Sequence, residues 1–169
     1  MKTVMILDDE TKVLSALQRY LTRHDWKVHA FTNPEDAIKF AQSTFIPLVI
    51  SDYRMPEMNG VDFLVEFQKH QPQAFKIILS GQADQEAMTN AINFAEVDRF
   101  VHKPWDNDKL LKELESGLAR IEKVIADNAK LDDKLSPDEL RIRAEEMLEK
   151  ETPGITKVRR NELGWIEIE

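Results

Sequence analysis

Short apolar runs alternate with stretches of helical period along most of the chain. Thr3-Val4-Met5-Ile6-Leu7, Lys27-Val28-His29-Ala30-Phe31, Leu48-Val49-Ile50-Ser51-Asp52 and Lys76-Ile77-Ile78-Leu79-Ser80-Gly81 are near-continuous in apolar residues and bounded by turn formers. Such runs predict strands buried on both faces, as in a parallel sheet. Asp98–Pro104 predicts a fifth, shorter strand closing on a proline. Between them Val13, Leu14, Leu17, Tyr20 and Leu21, then Ala37, Ile38 and Ala41, then Val61, Leu64 and Phe67, then Ala87, Ala91, Ile92 and Ala95 recur at helical spacing. Thr32-Asn33-Pro34-Glu35 marks a helix start, with a capping side chain followed by proline in the first turn. Five alternations with short connections predict an α/β protein with a doubly wound, five-stranded parallel sheet. Right-handed crossovers leave few topologies, and strand order 2-1-3-4-5 brings the ends of strands one and three together.

From Asp106 the pattern changes. Leu111, Leu114, Leu118, Ile121 and Ile125 step by three and four, the spacing of a coiled-coil seam. They predict an extended fifth helix over 106–135 that either dimerises or folds back on its own domain. Ser136-Pro137-Asp138-Glu139 restarts a helix with a capping box, running to about Lys150. Ile155–Arg160 and Trp165–Glu169 flank a turn and predict a β-hairpin, so 136–169 reads as a small helix-plus-hairpin extension. An isolated two-stranded hairpin is marginal in water and needs something to pack on.

A length of 169 residues suits one ordinary domain, here 1–122, with an appendage. The net charge of −8 gives the whole chain no electrostatic pull toward DNA or an anionic membrane. Residues 122–169 hold 9 basic and 13 acidic side chains, a poor surface for DNA, and contain no helix-turn-helix pattern. With no cysteine, disulfides and thiolate metal sites are excluded. The opening run is too short and too soon acidic for a secretory signal, and no stretch approaches a membrane span. The expectation is a cytoplasmic protein.

The strand ends carry the chemistry. In open α/β sheets, sites lie beyond the carboxyl ends of the strands. Those ends offer Asp8, Asp9 and Asp52, then the Ser80 hydroxyl with Gly81, then Lys103 before Pro104. Three carboxylates repel one another unless a cation sits among them, and Mg²⁺ or Mn²⁺ with oxygen ligands suits that set. Acids, hydroxyl and lysine together describe a site for a phosphoryl group, with a carboxylate as nucleophile. Each residue alone has a plainer reading. A lone Asp at a strand end usually caps a helix or forms a turn, Lys103 alone reads as a solvated lysine, and Phe100 as core. His24, His29, His70 and His102 show no ligand spacing, and Trp26, Trp105 and Trp165 read as packing residues.

Taken in order, Asp8-Asp9, Asp52, Ser80 and Lys103-Pro104, with Asp-x-x-Met-Pro-x-Met-x-Gly running from Asp52 to Gly60, resemble the receiver domain of bacterial two-component response regulators. The resemblance covers residues 1 to about 122 and implies a flavodoxin-like fold. It implies that Asp52 accepts a phosphoryl group from a sensor histidine kinase or phosphotransfer protein. Asp9, Asp52 and the backbone carbonyl of Arg54 would hold Mg²⁺, with Asp8 assisting through water. Lys103, Ser80 and Gly81 would contact the phosphoryl group, Phe100 would be the switch aromatic, and the Lys103–Pro104 peptide would be cis. Arg54 and Gln82 occupy places where the family tunes the phosphoryl lifetime. The implied role is a signalling switch that phosphorylates and dephosphorylates itself, not a conventional enzyme. The alternatives are an aspartate-nucleophile phosphatase and a receiver-like binding module without phosphorylation. Dehalogenase-type phosphatases need a second acid two residues past the nucleophile, where this chain has Arg54, and the complete acceptor site speaks against the binding module. The output, through protein–protein contact and a homodimer on the extended helix, rests on the tail's pattern alone.

Overall fold

A computed structural model describes residues 2–81, 84, 95–132 and 136–151. The elements are β1 (Thr3–Leu7), α1 (Thr11–Arg23), β2 (Lys27–Phe31), α2 (Pro34–Ser43), β3 (Leu48–Asp52), α3 (Gly60–His70), β4 (Phe75–Ser80), β5 (Arg99–His102), α4 (Asn107–Asp132) and α5 (Pro137–Glu151). The fourth helix expected around 87–95 and the hairpin of 155–169 lie outside the described residues. Residues 82, 83 and 85–94, after Ser80, likewise lie outside them. The chain divides into two compact units, Met1–Lys123 and Val124–Glu169.

The five strands form one all-parallel sheet in the order β2-β1-β3-β4-β5, as the alternation predicts. Strand side chains alternate between two apolar layers. Val4, Ile6, Leu48, Ile50, Ile77 and Leu79 face a cluster with Leu14, Leu17 and Leu21 of α1 and Leu110, Leu114, Leu118 and Ile121 of α4. Met5, Leu7, Val49 and Ile78 face the other, with Ala37 and Ala41 of α2 and Phe63, Leu64 and Phe67 of α3. Filled layers on both sides are why β1, β3 and β4 read as continuous apolar runs. Fully burying each large side chain stabilises the fold by about 1.5–3 kcal/mol.

The helix starts follow local chemistry. Asn33 Oδ1 accepts from the Glu35 and Asp36 amides at 2.8 and 3.2 Å, and Asn59 Oδ1 accepts from Val61 and Asp62, both at 2.9 Å. The capping box before α5 is also formed: Glu139 Oε2 accepts from the Ser136 amide at 2.8 Å.

The stripe read as a coiled-coil seam divides. Leu114, Leu118 and Ile121 are core, joined by Leu110, and Leu111 packs half-buried against the same cluster. Ile125 is 44% exposed. A three-and-four spacing marks one helix face and does not say whether a sheet or a second helix covers it; here the sheet takes most of it. Gly117 sits within that face. A Cβ there would lie 2.5 Å from the Phe75 ring, so the glycine lets α4 lie directly on the first residue of β4.

Candidate functional site

The sheet register gathers the predicted groups at one rim. Leu7 pairs with Ser51, and Asp52 with Leu79. Asp8 continues β1 by donating its amide to Phe31 O at 3.2 Å, and Lys103 continues β5 by donating to Ser80 O at 2.8 Å. Asp8 and Asp52 are both buried, while Asp9 stands in solvent. One carboxylate oxygen from each of the three lies within 4.8 Å of the others. Lys103 Nζ reaches Asp52 Oδ1 at 2.7 Å and Asp8 Oδ2 at 3.6 Å. The Lys103–Pro104 peptide is cis.

Gly60 seats α3 against this rim. Its amide donates to Tyr53 O at 2.9 Å, and an added Cβ would stand 2.2 Å from Asp52 O. Only a residue without a side chain permits that approach.

Burial pushes the Asp8 carboxyl above the usual carboxylate range; the Glu10 amide, donating to Oδ1 at 2.8 Å, pulls it back, and the Asp52 charge adds to the rise. Burial likewise raises Asp52, against the pull of the Lys103 hydrogen bond. Burial lowers Lys103, but its two carboxylate partners outweigh that and hold it above the ordinary lysine value. One lysine thus faces three acids. Asp8 Oδ2 is buried with no hydrogen-bond partner. An oxygen-lined, under-neutralised pocket with an orphaned carboxylate oxygen fits a hard divalent cation.

Ser80 ends β4 fully buried, and its Oγ has no hydrogen-bond partner. Phe100, in β5, is half-buried against the layer that contains Phe63. Arg54, expected to offer its backbone carbonyl and to occupy a place that tunes the phosphoryl lifetime, bonds through its guanidinium to Asp84. Arg54 Nε donates to Asp84 Oδ1 at 2.6 Å, and the Gly81 amide donates to Asp84 Oδ2 at 2.7 Å. Asp84 is 3% exposed and was not among the residues singled out from the sequence. Its only signal there is an acid three residues past a strand-ending glycine, where a side chain folds back onto the turn. The four histidines take no part. Among the described residues, no helix is long and apolar enough to cross a membrane.

A parallel sheet with carboxylates of β1 and β3 facing a lysine after β5 defines a class of α/β proteins with an acidic rim site, and comparison narrows it. The response regulator receiver domain family matches residues 4–115, and the chain belongs to that family. It is 32% identical over 110 residues to the hydrogenase transcriptional regulatory protein HoxA of Bradyrhizobium diazoefficiens, covering 65% of this chain and 22% of HoxA. It is 27% identical to the transcriptional regulatory protein FixJ of Rhizobium meliloti over 92% of this chain and 73% of FixJ. The chain thus spans about a fifth of the length of HoxA. An uncharacterized protein from Neptuniibacter caesariensis has a similar structure, with a TM-score of 0.70, 36% identity, and coverage of 80% of this chain and 96% of that one. The chain is a two-component response regulator by family.

Proposed function

We propose that this receiver accepts a phosphoryl group on Asp52 from the phosphohistidine of a sensor kinase or phosphotransfer protein, in a Mg²⁺-dependent reaction. The supporting observation is the Lys103–Asp52–Asp8 arrangement, in which Asp8 Oδ2 is buried with no hydrogen bond and only the 3.6 Å ion pair to Lys103. An Asp52 oxygen attacks phosphorus, a P–O bond forms as the donor's P–N bond breaks, and the nitrogen keeps the electron pair. Lys103 holds a positive charge at the Asp52 oxygen as the phosphoryl oxygens arrive. Asp8, Asp9, Asp52 and the Arg54 carbonyl would hold the ion, whose contribution is to neutralise charge on the transferred group. Ser80 Oγ, without a partner in this state, would take a phosphoryl oxygen, with the Gly81 amide beside it and Phe100 following Ser80 inward. The same site returns the group to water, which ends the signal.

The output reading is contact with protein, a second copy of this chain included. Val124 and Ile125 are 37% and 44% exposed on α4, and the acidic 122–169 segment favours a protein surface over DNA. The transcriptional roles in the relatives' names belong to those longer proteins.

Incubation with acetyl phosphate and Mg²⁺, read by intact mass, is expected to add one phosphoryl group to the wild type and none to Asp52→Asn. Equal labelling of both would place the acceptor elsewhere.

A further inference from the structure

Asp84 holds one donor from each of two segments at the rim of the sheet. Its carboxylate is nearly buried, and each oxygen holds one donor. One donor is the guanidinium of Arg54, two residues past Asp52. The other is the amide of Gly81, the residue after Ser80. One donor comes from the segment after β3, which ends in Asp52, and the other from the turn after β4, and Asp84 ties the two together. Arg54 lies in the acceptor's field as well: its pKa is raised first by the hydrogen bond to Asp84, then by that residue's charge, and in smaller part by Asp52. Its side chain is 67% exposed, so the guanidinium has room to leave Asp84.

Phosphorylation puts about −1.5 to −2 charge and three strong acceptor oxygens on the Asp52 side chain. Arg54 and the Gly81 amide then have two anions to choose between. A donor bonded to a buried carboxylate is not free for a phosphoryl oxygen unless that bond is given up. A group that binds the unmodified state alone shifts the equilibrium toward it.

We propose that Asp84 is an internal competitor of the phosphoryl group: it holds Arg54 and the Gly81 amide in the unmodified protein and must release them when Asp52 is modified. Asp84 is a positioning residue in this scheme, acting through Arg54 and Gly81 and not on the reacting atoms. The inference rests on the reading of Asp52 as acceptor.

The test is a titration of the full-length chain with beryllofluoride, a phosphoryl mimic, at saturating Mg²⁺, followed through the Gly81 amide resonance. Asp84→Asn keeps an oxygen for the Gly81 amide but loses the ion pair with Arg54. It is expected to bind the mimic about three- to tenfold more tightly than wild type, the ratio that an ion pair of about 1 kcal/mol sets. In an Arg54→Gln background, where the largely exposed side chain can change without unfolding the domain, Asp84→Asn is expected to have almost no effect. A purely structural role for Asp84 predicts the same shift in both backgrounds, and that result overturns the proposal. Unchanged or weaker binding by Asp84→Asn in the wild-type background overturns it too. The parent reading fails separately, if wild type takes no phosphoryl group from acetyl phosphate by mass, and the competition idea falls with it.

Discussion

Lys103 Nζ lies 2.7 Å from Asp52 Oδ1 and leans toward Asp8 Oδ2 at 3.6 Å, one ammonium shared by two buried carboxylates. Removing one partner of such a cluster costs more than the pair contributes, because a buried charge is left uncompensated. Lys103→Met is therefore expected to lower stability in metal-free buffer at pH 7 by about 1–3 kcal/mol. Mg²⁺ is expected to restore more stability to this variant than it adds to wild type. Urea unfolding with and without Mg²⁺ measures both, and equal Mg²⁺ increments would show that the ion does not bind among these acids.

Asp8→Asn should act in the opposite direction. Burial raises the folded Asp8 pKa above its ordinary 3.8, so the folded state holds its proton longer than the unfolded state. Stability is then full below that ordinary value and falls as pH rises through the raised one. The amide keeps the oxygen that accepts from Glu10 and removes one of three crowded charges. The variant is expected to melt higher than wild type without metal and to lose most of the Mg²⁺-induced rise in Tm. A lower metal-free Tm would show that the Asp8 charge is stabilising as it stands.

His29 gives a second pH signature. Its Nε2 is buried without a hydrogen-bond partner, its ring packs at a tilt against Phe40 with centroids 4.6 Å apart, and burial followed by the Lys27 charge lowers its pKa below the ordinary 6.5. The unfolded chain takes the proton first as pH falls, so stability declines from about pH 6.5 down through the folded value. His29→Phe is expected to flatten that part of the Tm–pH curve. If the slope between pH 7 and 5.5 survives unchanged, another group causes it.

Gly117→Ala is expected to destabilise the domain by about 1–3 kcal/mol, because the new methyl meets the Phe75 ring. Phe75→Leu should recover part of that loss, while each change alone is harmful. The double-mutant cycle in urea tests this, and additive losses would show that the helix shifts to make room.

Much of the sheet was legible because parallel strands buried on both faces leave few polar interruptions. The carboxylates and Lys103 were legible for a related reason: a charged residue just past such a run has nowhere to go but the rim. Lys76 broke the pattern. It is 2% exposed within β4, its ammonium donating to Gln68 Oε1 at 3.2 Å, and no local spacing announces that a lysine will lie under a helix. Leu110 was missed because the stripe was phased from Leu111; both fit a helical period, and only the sheet beneath selects between them. Asp84 was missed because its meaning depends on Arg54, thirty positions away, arriving from a different loop.

All the reactive groups leave the same edge of an all-parallel sheet, while the layers under them are made of buried apolar side chains. The interior therefore acts as a chassis, and the segment following β3 as a replaceable faceplate. On the proposed reading, exchange of an exposed rim side chain such as Arg54 resets how long a signal persists without any core residue having to change. A lineage can speed or slow its timer while keeping one foundation.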